Sequence, residues 1–501
     1  MRLSGRRAAA FLAASVALGC GQTSHGPQKA QLDVTCDDVV ELRPLDVLSE
    51  AATDVQLSPC GELSFREAGQ LLLTDTSLQR PQALAGAGAE PLRFDPLGRG
   101  VAYRRVGDAS ELVHQGLRDG QTWTAPLGSD VNGAAPLFDF YAHDGQSSLF
   151  ACVGFELHDY ADGPAAERVV QLDMRCDGPM YSAVDGLLLG WSPTLTSVDI
   201  HGGRQRPLTE AGVCDTDLCD VHLVGRVFVR DGCNQVPAGD TFMCPAFPTR
   251  YYDARSGAAL PADPLMTPDR RIVAATQGKV QYLAPDRTSA LTLDPDHDAK
   301  RTTVRYYGPE PTHPQRWLEA AGTIATDATL LSRLSPDAQR IALWSSDCFG
   351  YPPAAAAVAV LFTPGGKVEP LDVAGCLSRV HWVGSDGALL ATLIPKVSPS
   401  GFFEDHLVLI RADRSITQLE IKPQNLGDAV SDGTVLVAPV RGATTGLLIV
   451  DLATGRAELR STPPVNNLLV DRSRRRLVFE VQAQVEPPLS QLWGGAFPRL
   501  D

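Results

Sequence analysis

One turn recurs through this chain of 501 residues and limits what it can fold into. Ser335-Pro336-Asp337 runs into Arg340-Ile341-Ala342-Leu343-Trp344, and Thr267-Pro268-Asp269 into Arg271-Ile272-Val273-Ala274. Ser58-Pro59-Cys60-Gly61 precedes Leu63-Ser64-Phe65, and Asp95-Pro96-Leu97-Gly98 precedes Val101-Ala102-Tyr103. Ser385-Asp386-Gly387 and Ser431-Asp432-Gly433 lead into Ala388–Ala391 and Thr434–Val437. Pro presets φ at the first turn residue, Asp or Ser bonds the local backbone, and Gly takes the left-handed position. Each turn therefore feeds an apolar strand. A supersecondary unit repeated along a chain buries its apolar face against its neighbours, so the repeat decides the architecture.

Turns fall near 58, 95, 144, 185, 224, 268, 336, 386, 432 and 472, mostly 37 to 50 residues apart. The interval from 268 to 336 is longer and is expected to hold an insertion. Most turns are followed by a second hairpin. Gly446–Asp451 turns at Thr454-Gly455 and returns through Ala457-Glu458-Leu459, and Val360-Leu361-Phe362 turns at Gly365-Gly366. Two hairpins per ~45 residues is the signature of a four-stranded propeller blade. The expectation is an all-β chain folded as a single β-propeller of seven or eight four-stranded blades. Ten turns exceed that number, so either two or three of the weaker ones are false or the chain forms two smaller propellers with a seam near 290–330.

The Ser-Pro-Asp-x-x-Arg-Ile-Ala pattern, with Asp-Leu-Ala-Thr-Gly-Arg at 451–456, resembles the TolB-type, WD-like propeller repeat of bacterial envelope proteins. Ser335–Trp344 and Thr267–Ala274 are the close matches; the turns at 144, 185, 224 and 472 lack the Pro. The resemblance implies an extracytoplasmic propeller. Similar blades also gate prolyl oligopeptidase-like enzymes, but no α/β segment remains here for a catalytic domain.

The amino terminus points to the same compartment. Arg2, Arg6 and Arg7 precede a twelve-residue apolar stretch, Ala8–Gly19. That is short of the roughly 20 residues a bilayer span needs and fits a signal peptide. It ends Ala17-Leu18-Gly19-Cys20, which resembles the lipobox of bacterial lipoproteins. The expected division is a signal peptide at 1–19, a lipidated Cys20 with a polar tether at 20–30, and the propeller at 31–501. Cys20 would carry palmitate-type acyl chains, and two chains anchor stably. Gly21 after Cys20, by resemblance to Gram-negative sorting, favours the outer membrane, facing periplasm or cell surface.

The formal charge of −15 falls to −18 once the three signal arginines are removed. Such a chain repels phosphate backbones, so nucleic acid is excluded as a partner. Ten of the eleven cysteines remain after Cys20, an even set that in an exported chain reads as disulfides. Pairing between sequence neighbours would give Cys36–Cys60, Cys152–Cys176, Cys214–Cys219, Cys233–Cys244 and Cys348–Cys376; the connectivity is not fixed by sequence.

Motifs for chemistry are sparse. Cys214, Cys219, Cys233 and Cys244 have loose spacing for zinc, and no CxxC occurs. Asp294-Pro295-Asp296-His297-Asp298 alternates carboxylates but lacks the Gly and Glu of an EF-hand loop, so the metal assignment stays open. Gly190-Trp191-Ser192-Pro193-Thr194 lacks the closing Gly of a nucleophile elbow. Nothing marks a cofactor site. His158, His201, His222, His313, His381 and His406 are the candidates to line one face of a ring. These observations favour a noncatalytic envelope lipoprotein whose propeller binds a protein, polysaccharide or other ligand. The alternatives are a propeller lyase or glycoside hydrolase with residues converging at the central channel, and a structural surface component. Paired carboxylates on the innermost strands would favour the enzyme.

Overall fold

In the computed structural model, residue 36 and residues 42–500 are described, apart from short internal stretches of which the longest are 209–218, 346–357 and 396–404. The architecture is all-β. The described residues form eight four-stranded antiparallel sheets, two short two-stranded ones and a seven-stranded sheet that joins the two ends of the chain. In chain order the sheets span 93–126 (sheet 1), 137–171 (sheet 2), 180–207 (sheet 3), 219–260 (sheet 4), 264–274 (sheet 5), 279–324 (sheet 6), 330–370 (sheet 7), 375–418 (sheet 8) and 430–461 (sheet 9). Sheet 5 has two strands, and the other two-stranded hairpin, 236–243, is inserted in sheet 4. Among the described residues no helix is long and apolar enough to cross a membrane.

Eight of the ten turns lie between the first two strands of sheets 1–5 and 7–9, and those at 58 and 472 both join paired strands of the seven-stranded sheet, so the turns at 144, 185, 224 and 472 that lack Pro are hairpins too. None of the weaker turns is false. The chemistry is local. The hydroxyls of Ser58, Thr267 and Ser335 accept the backbone N–H of Glu62, Arg271 and Arg340 at 2.9 Å each, closing the turn as the second strand begins. The second hairpin has its own device: Gly203, Gly257 and Gly455 donate back to the carbonyls of Asp199, Asp253 and Asp451 at 2.7, 2.7 and 2.8 Å. These glycines sit at φ 61°, 71° and 73°, where a Cβ would be strained.

Among the described residues the interval 268–336 shows no insertion and no seam, since Leu265 of sheet 5 packs with Ala290 and Tyr307 of sheet 6. It contains sheet 6, whose first hairpin turns at Ala284, with Arg287 N–H donating to the Ala284 carbonyl at 3.0 Å. That turn lacks the Ser and the spacing of the others.

Apolar residues run almost unbroken along strands such as Ile341–Ser345, Ala359–Phe362 and Val435–Val440, and since successive side chains point to opposite faces, both faces of each sheet are buried against neighbours. Ala102 and Leu112 of sheet 1 pack on Phe138 and Phe140 of sheet 2. Leu291 and Val304 of sheet 6 pack on Leu343 and Phe362 of sheet 7, and Ala342 and Leu361 then pack on Leu389 and Val408 of sheet 8. The same holds from sheet to sheet around to sheet 9, where Val437 and Ile449 meet Leu477 and Phe479 of the seven-stranded sheet. Leu71 and Leu73 of that sheet meet Val101 and Val113 of sheet 1, completing the circuit. Each fully buried Leu or Phe contributes about 2 kcal/mol.

The ends close by strand pairing. Asp46–Leu57 is antiparallel to Leu489–Ala496 on one side and to Leu63–Glu67 on the other. Arg476, fully buried, donates from Nη1 to the Cys60 carbonyl at 2.9 Å, across 416 positions of sequence. The fold is a β-propeller: sheets succeed one another around an axis and the terminal strands seal the ring.

Two of the five neighbour pairings are formed, Cys36–Cys60 and Cys152–Cys176, each 24 residues apart. Cys376 is also disulfide-bonded, to a partner outside the described residues. Cys20, Cys214, Cys233, Cys244 and Cys348 lie outside the described residues, as does the side chain of Cys219.

Candidate functional site at the inner edge of the ring

In each four-stranded sheet the first strand stands at one margin with a single neighbour, and in a propeller this margin faces the channel. First strands are mostly apolar, because their flanks pack between sheets. The polar residues that interrupt them therefore mark the inner edge. Two arcs of such residues link first strands across the ring.

The first arc joins sheets 1, 2 and 3. Asp139, on Leu137–His143, is approached by Arg93 at 3.9 Å and accepts a short hydrogen bond from the Tyr181 hydroxyl. Burial pushes the Tyr181 phenol well above its ordinary value, and the Asp139 charge adds to this. Tyr181 is therefore a fixed donor at any physiological pH.

The second arc joins sheets 6 to 9. Ser332 donates to Gln281 Oε1 at 2.6 Å, tying Leu330–Leu334 to Lys279–Tyr282. Along Leu330–Leu334 the side chains alternate. Leu330 and Leu334 face sheet 6, and Arg333 faces the other way. Arg333 donates to the Val380 carbonyl at 3.3 Å and pairs with Asp428, just ahead of the first strand of sheet 9. Its guanidinium thus crosses the inner edge of sheet 8.

Under it lies the strand Gly375–Val383, which carries two bulges. The register skips Ser378 between Leu377 and Arg379, and His381 between Val380 and Trp382. Bulges bend a strand and re-aim side chains, and they concentrate beside functional sites. Here His381 is turned into the interior, 2% exposed, with Nε2 2.8 Å from the Thr392 hydroxyl and Nδ1 buried without a hydrogen-bond partner. Burial, reinforced by the charges of Arg379 and Arg333, lowers its pKa to about 4, so the ring is neutral at pH 7. Arg379 is exposed.

Asp139 and Asp428 are the carboxylates of these two arcs among the described residues, one on each, and each faces an arginine. The paired carboxylates of a lyase or hydrolase are therefore not assembled in either arc.

The six histidines do not share a face. His381 is on a first strand, as is His222, while His158 and His406 are on third strands and His313 is on a fourth. His158 is 2.7 Å from Glu167, and His406 is 3.0 Å from Gln418. His201 lies 3.3 Å from Asp159, which also accepts from the Tyr141 hydroxyl at 2.6 Å. That cluster is a polar joint between sheets 2 and 3.

The acidic loop at 294–298 is committed to its own turn. Asp296 accepts the N–H groups of Asp298 and Ala299 at 3.1 and 3.0 Å, and Asp294 is 3.7 Å from Arg305. Among the described residues no three His, Cys, Asp or Glu side chains form a metal-binding group.

Sequence inspection missed Asp139, Arg333, Arg379 and Asp428. The usable signal was a charge breaking an apolar strand just before a turn, as in Leu137-Phe138-Asp139-Phe140-Tyr141 and Leu330-Leu331-Ser332-Arg333-Leu334.

No known family model matches the chain, and no curated protein matches it. Solved structures with some likeness include dihydro-heme d1 dehydrogenase NirN (16% identity, 64% of this chain and 66% of that one, TM-score 0.30). The WD40 domain of SCAP from fission yeast is 9% identical over 90% of this chain and 97% of that one, with TM-score 0.33. The tricorn protease is 12% identical over 86% of this chain and 42% of that one, with TM-score 0.26. These scores are too low to carry function; the fold rests on the sheet topology itself.

Proposed function

We propose that this protein is a noncatalytic lipoprotein of the bacterial envelope, anchored through Cys20, whose propeller is a platform for binding a protein or other envelope ligand. The carrying observation is the two arcs of the inner edge, where Asp139 and Asp428 each face an arginine while Arg379 stays exposed. Such an edge offers hydrogen-bond donors on a rigid frame, which is what recognition needs. Sheets packed on both faces and closed by Asp46–Leu57 supply the rigidity. The Cys36–Cys60 and Cys152–Cys176 bridges fit an oxidising compartment.

The test is capture from crosslinked envelopes by the full chain. A specific partner, lost when Arg93 and Arg379 are replaced together by Gln and retained when exposed Arg271 is replaced, supports the platform. Equal capture by all three proteins overturns it.

A further inference from the structure

The inner edge of sheet 8 carries more positive charge than its surroundings require, in a chain whose formal charge is −15. Among the described residues, the guanidiniums of Arg333 and Arg379 disfavour the charged His381 ring and the carboxylate of Asp428 favours it, so two cations and one anion act there. Arg333 and Asp428 neutralise each other directly. Arg379 is exposed; its backbone is paired opposite Thr392, and its guanidinium makes no hydrogen bond or ion pair with another described residue. It stands between the two bulged positions, Ser378 and His381, on the strand whose free margin faces the channel.

We propose that this edge is a binding site for a carboxylate monoanion, held by the fork of Arg379 with the Arg333–Asp428 pair beside it. The proposal rests on the platform reading and names the chemistry of its contact. Arginine presents paired N–H groups that match both oxygens of a carboxylate. Phosphate would match the fork too, but its second charge would meet Asp428 with nothing left to balance it. A neutral sugar gains little here, since Trp382, the indole of this strand, is packed between sheets 8 and 9. Two sources supply such a carboxylate, an acidic side chain or a sugar acid, and the chemistry is common to both.

Binding also has a spectroscopic consequence. The two guanidiniums help hold His381 neutral. A carboxylate seated against Arg379 offsets that field, so the His381 pKa must rise when the site fills.

The experiment titrates the full-length protein in detergent with N-acetyl-aspartate amide and with glucuronate, following the His381 ring by NMR. N-acetyl-asparagine amide, glucose and inorganic phosphate are the controls. The expected result is saturable binding of at least one carboxylate, a rise in the His381 pKa on saturation, and the uncharged analogues weaker by about tenfold or more. Which carboxylate binds tighter identifies the source. Arg379→Gln should weaken binding about tenfold and leave the His381 pKa unmoved by ligand, and Arg379→Lys should recover part of the affinity. Arg379 is exposed, so these variants are expected to fold. Binding of phosphate more tightly than either carboxylate, equal binding of the uncharged analogues, or no binding by either acid overturns the proposal. If the acids fail while the full chain still captures a partner through its inner edge, this inference falls and the platform stands.

Discussion

Breaking the Cys152–Cys176 bridge is the sharpest test of how the sheets are held in sequence. Cys152 lies on Gln146–Val153, the second strand of sheet 2, and Cys176 follows the last strand of that sheet on the way to sheet 3. Both are buried in the cluster that packs sheet 2 on sheet 3, at 0% and 4% exposure. Backbone bonds from Cys176 N–H to Gly154 (2.7 Å) and from Leu172 N–H to Phe155 (2.6 Å) fasten the same connection. Closing a loop of 24 residues restricts the unfolded chain by about 3.5 kcal/mol in the loop-entropy treatment. Removing two buried sulfurs from a packed cluster adds roughly 1.5 kcal/mol. Cys152→Ala/Cys176→Ala is therefore expected to cost about 5 kcal/mol. If the ring melts as one unit, the unfolding entropy is about 1 kcal/mol per kelvin, and the midpoint falls by roughly 5 °C. Calorimetry of the variant against the oxidised wild type measures this; the fully reduced wild type, which also loses Cys36–Cys60 and the Cys376 bridge, should fall further than the variant. A midpoint within about 1 °C of wild type for both proteins would refute the argument.

The remaining predictions are briefer. Cys20→Ala abolishes palmitate labelling and releases the protein from membranes; a variant that still labels and sediments contradicts the anchor. Arg270→Ala strands the carboxylate of Asp185, whose side chain is 2% exposed, and should cost about 2–3 kcal/mol in denaturant titration. Arg271→Ala, whose partner Asp269 is exposed, should leave the unfolding midpoint unchanged. His381 is neutral in the fold down to about pH 4, whereas an unfolded histidine gains its proton near 6.5. Stability is thus at its full value above pH 6.5 and declines as pH falls from 6.5 to 4, by up to roughly 3 kcal/mol. His381→Asn should remove that part of the pH slope, and an unchanged slope would show that the ring titrates normally.

The repeat was legible because its chemistry is local. Ser335, Asp337 and Arg340 close a turn through bonds spanning five residues at most, so their spacing is written in the sequence. Even the turns without Pro kept the apolar runs on either side, and all proved to be hairpins. The turn at Ala284 was passed over because it carries none of the Ser chemistry, and sheet 6 was read as an insertion. Neighbour pairing of cysteines held for Cys36–Cys60 and Cys152–Cys176, since each bridge stays beside one sheet. The inner edge was not legible. Asp139 meets Tyr181 42 positions away, and Arg333 meets Asp428 across 95. Contacts of that range depend on how one sheet is set beside the next, which no local pattern records. The bulges at Ser378 and His381 were equally hidden, because Gly375–Val383 alternates poorly in sequence and could be any buried strand.

The measurement that bears most directly on the account is turnover by the purified full chain on peptide, ester, polysaccharide and polyuronate substrates, made beside variants at the inner edge. An account in which Asp139 and Asp428 are neutralised by arginines on separate arcs predicts no turnover from wild type, Asp139→Asn, Asp428→Asn or His381→Asn. Turnover by the wild type that disappears in any one of these variants would contradict it and make the inner edge an active site.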